Sequence, residues 1–521
     1  MQRCLIFSLL LPLLLMAEQH ATARDACALS FNRIGVRRFI FSNNLPLGSL
    51  EPSEIVARES MHPAFLPGDT LAVDTHANIS CTNGNVDIAA PGATFYVAGL
   101  NPYATYEVAI TQLDGDAEVA LDWATYGLKK RVQVVASTRK IALRLVHGNT
   151  TLQEHLLTDT PPRPPFTLKA QLYGMSAAVF VTKNNDTVYV GDVSGEKSFR
   201  TFCDFRDRTL AHASTFNVAA HVPATGRVLL GSAKSYLSAG IGQADMRLVT
   251  HKDGSPYWEG NRIWFTFSAR GLRLDQMTMG VMSLDPSLFD FRYEGMIVYD
   301  HGDNLLRNDH VAHIIFDQEN NRWLTIGCDF GGVAGREGRG GSQLVLAETA
   351  HSPLHGFSVL TQARAFDKIP GKHEDPCLIY DAAAKKWRLL TCAMPAFHTE
   401  LYESDNWDGP YTRIAGPTPD NSTGVQIQMI GGKRYCLSGN AKGPILIYTY
   451  PDLRYHGELN VGLQPHWPKG AGRIWPTIFP LPEGFAYPYM AIMMDRPNFP
   501  GVKGSTWSYG ALYLYAGWPT P

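Results

Sequence analysis

The chain has 521 residues, 45% hydrophobic, 11% aromatic and only 18% charged, with a formal net charge of −2. This is the composition of an ordered protein with room for more than one domain. It supplies no basic patch for nucleic acid or an anionic membrane, and neither partner is expected.

At the N-terminus Arg3 precedes an apolar run over 5–16, and Ala21-Thr22-Ala23 offers the small-x-small pattern of a cleavage site. The run is too short to cross a bilayer, so residues 1–23 are expected to be a signal peptide and the protein secreted or periplasmic. No later segment reaches the ~18 apolar residues of a membrane span. Of eight cysteines, seven remain once Cys4 is removed. Cys377 and Cys392 lie symmetrically about a turn at 381–386 and can oppose each other on antiparallel strands; Cys27 with Cys81 is a second candidate pair. Buried free thiols are the alternative. Glycosylation sequons stand at Asn78, Asn149, Asn185 and Asn421.

Residues 24–158 alternate apolar and polar side chains in short segments, such as Tyr106-Glu-Val-Ala-Ile110 and Ile141-Ala-Leu-Arg-Leu-Val146, separated by turn residues such as Asp114-Gly115-Asp116. This predicts a β-sandwich. The stretch Thr160-Pro-Pro-Arg-Pro-Pro165 is stiff and poor in backbone donors, which places a linker at 159–165.

From 166 to 521 a hairpin unit recurs seven times, at 177–190, 216–230, 255–267, 311–326, 377–392, 425–437 and 474–493. Further strands follow most of these units, the arrangement of propeller blades. The expected fold is therefore all-β, an N-terminal β-sandwich followed by a β-propeller. Counting favours seven blades; five result if the first two hairpins belong to the sandwich.

Polar residues at the start of each innermost strand converge on the mouth of a propeller channel. These positions are assigned to His251-Lys252-Asp253, Asn308-Asp309-His310 and His373-Glu374-Asp375. Carboxylates from three blades can supply a base for water, an acid for a leaving oxygen and a third group that tunes both. Glu374 and Asp375 are strand neighbours and should face opposite ways, with Glu374 towards the pocket. Trp258 and Trp475 can stack on a sugar ring, and Arg270 and Arg473 can grip hydroxyls or a carboxylate. His251 and His310 complete the candidate substrate contacts. His310 and His313 fall on opposite strand faces, so no metal is assigned to them. The glycine-rich run 331–341, with Arg336 and Arg339, lacks the ending of a phosphate loop and is expected to be a loop near the pocket.

The phrases Asp253-Gly-Ser-Pro-Tyr-Trp-Glu-Gly-Asn-Arg-Ile-Trp, Glu374-Asp-Pro-Cys-Leu-Ile-Tyr380 and Tyr402-Glu-Ser-Asp-Asn-Trp-Asp-Gly-Pro-Tyr411 resemble the propeller glycoside hydrolases of family 43 and their relatives, over about 250–515. The resemblance implies Asp253 as base, Asp309 as modulator and Glu374 as acid, with inversion at the sugar carbon. Two features depart from the pattern: the family's usual Asp-Pro is Asp253-Gly254 here, and the family has nothing like 165–245 before its five blades. No cofactor is expected; a structural calcium in the propeller channel is left open. A carbohydrate is the expected substrate. Two alternatives remain open on sequence: a polysaccharide lyase using His, Tyr and Arg chemistry, and a sugar-binding protein without catalysis.

Overall fold

The computed structural model describes residues 25–47, 79–82, 85–194, 197–332, 343–463 and 472–520. The expected signal segment, the Asn78 sequon and most of the glycine-rich run, including Arg336 and Arg339, lie outside the described residues. Strands dominate; Lys197–Phe202 and Arg208–His212 are the α-helices among the described residues. No described helix is long and apolar enough to cross a membrane.

Two large sheets come first. One is six-stranded, in the order Thr150–Thr158, Ile141–His147, Lys130–Ser137, Glu118–Thr125, Ser214–His221 and Gly92–Gly99. The other includes, in order, Asp186–Val193, Ala177–Lys183, Phe166–Leu172, Thr105–Asp114, Arg227–Leu237 and Asn85–Ile88. Alternate residues of both fill one core. Val119, Leu121 and Trp123 enter from the first sheet, and Tyr106, Val108 and Ile110 from the second.

Phe166–Leu172 pairs antiparallel with Thr105–Asp114, so the proline-rich stretch runs inside one body and is not a domain boundary. The first two hairpin units also belong to these sheets. Unit 177–190 lies in the second sheet, while unit 216–230 sends one strand to each. A tight turn with alternating flanks looks the same locally whether its strands pair together or cross between layers.

Five further sheets follow. Their first strands are Gly242–Leu248, His310–Asp317, His373–Asp381, Ser422–Ile430 and Thr477–Pro480, and these strands touch in a closed cycle. The fifth sheet is completed by the start of the chain: Leu29–Arg37 pairs antiparallel with Leu512–Pro519. The count favoured from sequence therefore drops from seven repeats to five.

Four of the five first strands carry the same irregularity. A register shift falls between Ala244 and Arg247, His310 and His313, Glu374 and Cys377, and Thr423 and Gln426. Each bulge contains a residue at positive φ: Asp245, Val311, Asp375 and Gly424. Such bulges re-aim side chains that the strict alternation of a strand would send apart. They set the candidate site.

The Cys377–Cys392 pair does not form, and the side chain of Cys81, the candidate partner of Cys27, lies outside the described residues. Glu374 stands opposite Cys392, and Cys377 opposite Leu390. The Cys392 thiol donates to the Ser422 carbonyl at 3.1 Å, and the Cys377 sulfur accepts the Ile427 amide at 3.3 Å. Cys27 is free and sits at the first turn before Leu29.

Candidate active site

The bulges of the first and third ring sheets bring Asp245, Glu374 and Asp375 within electrostatic reach of one another. Asp375 sits at φ +58°, so it does not point away from its neighbour as an extended strand would require. Its carboxylate accepts the Gly424 amide of the fourth sheet at 2.7 Å. Burial raises the pKa of Glu374, and the Asp375 and Asp245 charges raise it further against the pull of Arg473. Burial also raises that of Asp375; the Gly424 amide opposes this, and Asp245 adds to it. Both pKa values therefore stand above the ordinary carboxylate range, that of Glu374 the higher, so Asp375 ionises first.

Arg270, 4% exposed, donates to Asp245 and places its guanidinium 4.3 Å from the Tyr509 ring centre. Arg473 donates to Asn421 Oδ1 at 2.8 Å and lies 4.2 Å over the Phe397 ring. His310 is buried, with Nδ1 2.9 Å from the Asn308 carbonyl and its ring 4.8 Å from Phe330. Burial pushes its pKa down to about 4, aided by Arg270 and opposed by the Asn308 carbonyl, Asp245 and Asp309. The imidazole is therefore neutral near pH 7.

The structure does not bring Asp253 to this cluster. The Lys252 carbonyl accepts the Tyr380 amide, and the Gly254 Cα–Cβ direction points at Ile379. Both partners lie five to six residues beyond Glu374 on the same strand, roughly 16–20 Å away at ~3.3 Å per residue. There Asp253 accepts the Ser255 amide at 2.9 Å and hydroxyl at 2.6 Å. Burial is outweighed by these bonds, which hold its carboxyl below the usual range. With Arg247, Thr250, His313 and Gln426 it lines a cavity of ≈ 150 Å³ at that end.

Asp309 is also committed elsewhere. It lies 2.7 Å from His301 Nε2 and accepts the Gly331 amide at 2.8 Å, with its side chain 1% exposed. Trp258 packs against the large core shared with the two N-terminal sheets, and His251 against Tyr257 and Phe316. Trp475 is buried beneath Gly424, with the Arg247 guanidinium 4.8 Å from its ring centre. Of the candidates, the structure gathers Glu374, Arg270, Arg473 and His310; Asp253, Asp309, Trp258 and His251 are engaged elsewhere, and Trp475 acts as packing.

Two residues, Asp245 and Trp507, escaped the sequence reading, and Asp375 was read but turned away from the pocket. Asp245 and Asp375 occupy equivalent bulges, and a signal for this exists: Gln-Ala-Asp245-Met-Arg-Leu-Val aligns with His-Glu-Asp375-Pro-Cys-Leu-Ile. Trp507 is 42% exposed, 5.9 Å from Tyr509 and 5.8 Å from the Arg270 guanidinium. It is an aromatic surface beside the carboxylates that no periodicity marked.

The residues on the ring axis do not fit a channel calcium, which requires oxygen ligands. Arg247 is buried there and donates to the Val425 and Asp375 carbonyls at 3.1–3.3 Å. His313 Nδ1 accepts the Leu378 amide at 3.1 Å, which leaves Nε2 to bond Thr250 at 3.0 Å. A fixed guanidinium repels a divalent cation.

No protein-family model matches the chain, and no curated protein matches it. Among solved structures, an exo-β-1,3-galactanase of Clostridium thermocellum shows 10% identity and a TM-score of 0.36, over 51% of this chain and 59% of that one. The catalytic domain of a GH62 α-L-arabinofuranosidase of Coprinopsis cinerea shows 12% and 0.35, over 52% and 92%. A GH43_1 enzyme of Xanthomonas citri shows 12% and 0.36, over 52% and 87%. The chain is distantly similar to propeller glycoside hydrolases. It spans less than two thirds of the galactanase.

Proposed function

We propose that this protein is an exported glycoside hydrolase, a five-bladed propeller with an N-terminal sandwich, that cleaves poly- or oligosaccharide with inversion. One arrangement carries the reading: Glu374 sits beside Asp375 and within reach of the Asp245 charge, and these charges together with burial raise its pKa. A carboxylic acid held neutral beside an ion-paired carboxylate is the division of labour that glycoside cleavage needs.

In this mechanism Glu374 gives its proton to the glycosidic oxygen as the carbon–oxygen bond breaks. Asp245, oriented by Arg270, takes a proton from the water that attacks the anomeric carbon from the opposite face. The released sugar carries the opposite anomeric configuration, and water restores both carboxyl groups. Asp375 does not touch the substrate; its charge holds the Glu374 proton in place. Trp507 offers a ring face to the sugar, and Arg473 a cation to its hydroxyls.

The test is a polysaccharide screen of the wild type against Glu374→Gln, with the first anomer formed read by proton NMR. Wild-type hydrolysis with inversion, lost in the variant, is expected. Unchanged hydrolysis in the variant removes Glu374 from the acid role, and a product absorbing in the ultraviolet identifies a lyase instead.

A further inference from the structure

The start of the described chain meets the fourth ring sheet at a second cluster, unrelated to the carboxylates. Asp25 and Cys27 precede the strand Leu29–Arg37, and His456 lies on Tyr455–Glu458. One ligand atom from each, a carboxylate oxygen, a thiol sulfur and an imidazole nitrogen, all lie within 4.8 Å of one another. His456 Nε2 is 2.9–3.0 Å from both Asp25 oxygens, and the Cys27 sulfur is 4.0 Å from the His456 carbonyl. Among the described residues this is the group of His, Cys, Asp and Glu side chains with metal-ligand spacing.

We infer that Asp25, Cys27 and His456 form a binding site for a zinc-class divalent ion, and that the ion latches the closing strand of the ring to its neighbour. The donor set is mixed: sulfur, nitrogen and oxygen. That is the borderline combination zinc accepts, with a fourth position left to water. The calcium class, which takes oxygen alone, is disfavoured. On binding, the Cys27 thiol releases its proton to solvent and the thiolate bonds the ion. His456 gives up its contact with Asp25 to coordinate through Nε2.

The location gives the ion a structural task. Leu29–Arg37 completes the fifth sheet, yet its pairing towards the fourth-sheet side is short: Ser30 with Asn460 and Phe31 with Val461. A metal joining 25–27 to 456 ties the start of this strand, which also pairs with Leu512–Pro519, directly to the fourth ring sheet. Ligands drawn from residues far apart in sequence bind only the folded ring, so the ion stabilises it by mass action.

Cobalt titration of the full chain, after dialysis against EDTA, tests the site. About one cobalt per chain is expected, with the near-ultraviolet thiolate-to-cobalt band and the visible bands of a tetrahedral site. Both should vanish in Cys27→Ser, and zinc should raise the melting temperature of the wild type but not of that variant. Among the cysteines with described side chains, Cys27 alone is not buried. Zinc should therefore slow labelling of the wild-type native protein by a thiol reagent, a readout that needs no variant. Absence of the thiolate band, its persistence in Cys27→Ser, or labelling unaffected by zinc overturns the proposal.

Discussion

The Asp375 carboxylate reaches across from the third ring sheet to the fourth and accepts the Gly424 amide at 2.7 Å. Both residues sit at positive φ in equivalent bulges, +58° and +66°. A Cβ on Gly424 would lie 2.6 Å from the Trp475 ring. Gly424→Ala therefore combines backbone strain with a clash against a buried indole. A loss of about 1–3 kcal/mol is expected, read by chemical denaturation, together with loss of activity as the Asp375 anchor shifts. An unchanged denaturation midpoint would mean that the bulge tolerates a side chain.

The pH dependence follows from the same cluster. The folded pKa values of Glu374 and Asp375 stand above their ordinary values of 4.5 and 3.8. Between the ordinary and the raised values the folded state holds more protons than the unfolded chain, so stability falls as pH rises through that window. Activity should fall on the alkaline side as Glu374 loses its proton. Asp375→Asn removes a repelling charge while keeping an oxygen for the Gly424 amide. Its alkaline limb should move to lower pH, measured as kcat/KM against pH. A limb that stays in place would exclude Asp375 from tuning the acid.

Trp507 is exposed beside Arg270 and Tyr509. A sugar stacks on the flat face of such a ring, and removing the ring costs binding more than chemistry. Trp507→Ala should raise KM by about 10-fold, the equivalent of ~1.4 kcal/mol, with a smaller change in kcat. A fall in kcat alone would assign the indole to loop positioning.

Much of the ring was legible in the sequence, because units such as 311–326 and 425–437 join alternating strands through tight turns. The ring's first strand was not. Gly242–Leu248 reaches its partner Arg262–Arg270 only after the intervening segment 249–261, so the hairpin at 255–267 took its place and pointed to Asp253 instead of Asp245. The alternation rule then failed at Glu374 and Asp375, where a left-handed residue turns two neighbours into one cluster. Both misreadings share one cause: the bulges that build the site break the periodicity by which strands are read.

If carboxylates from the first and third ring sheets work as a pair at one end of the axis, removing either should stop the reaction. The decisive measurement is the rate of Asp245→Asn, Glu374→Gln and Asp253→Asn on the polysaccharide that the wild type cleaves. Asp245→Asn leaves the buried Arg270 without its partner, so each variant is first checked for native folding. The first two are expected to lose about 10²–10⁴-fold in kcat while Asp253→Asn keeps the wild-type rate. An Asp245→Asn or Glu374→Gln variant that folds and retains the wild-type rate would refute the pairing, as would loss of activity confined to Asp253→Asn.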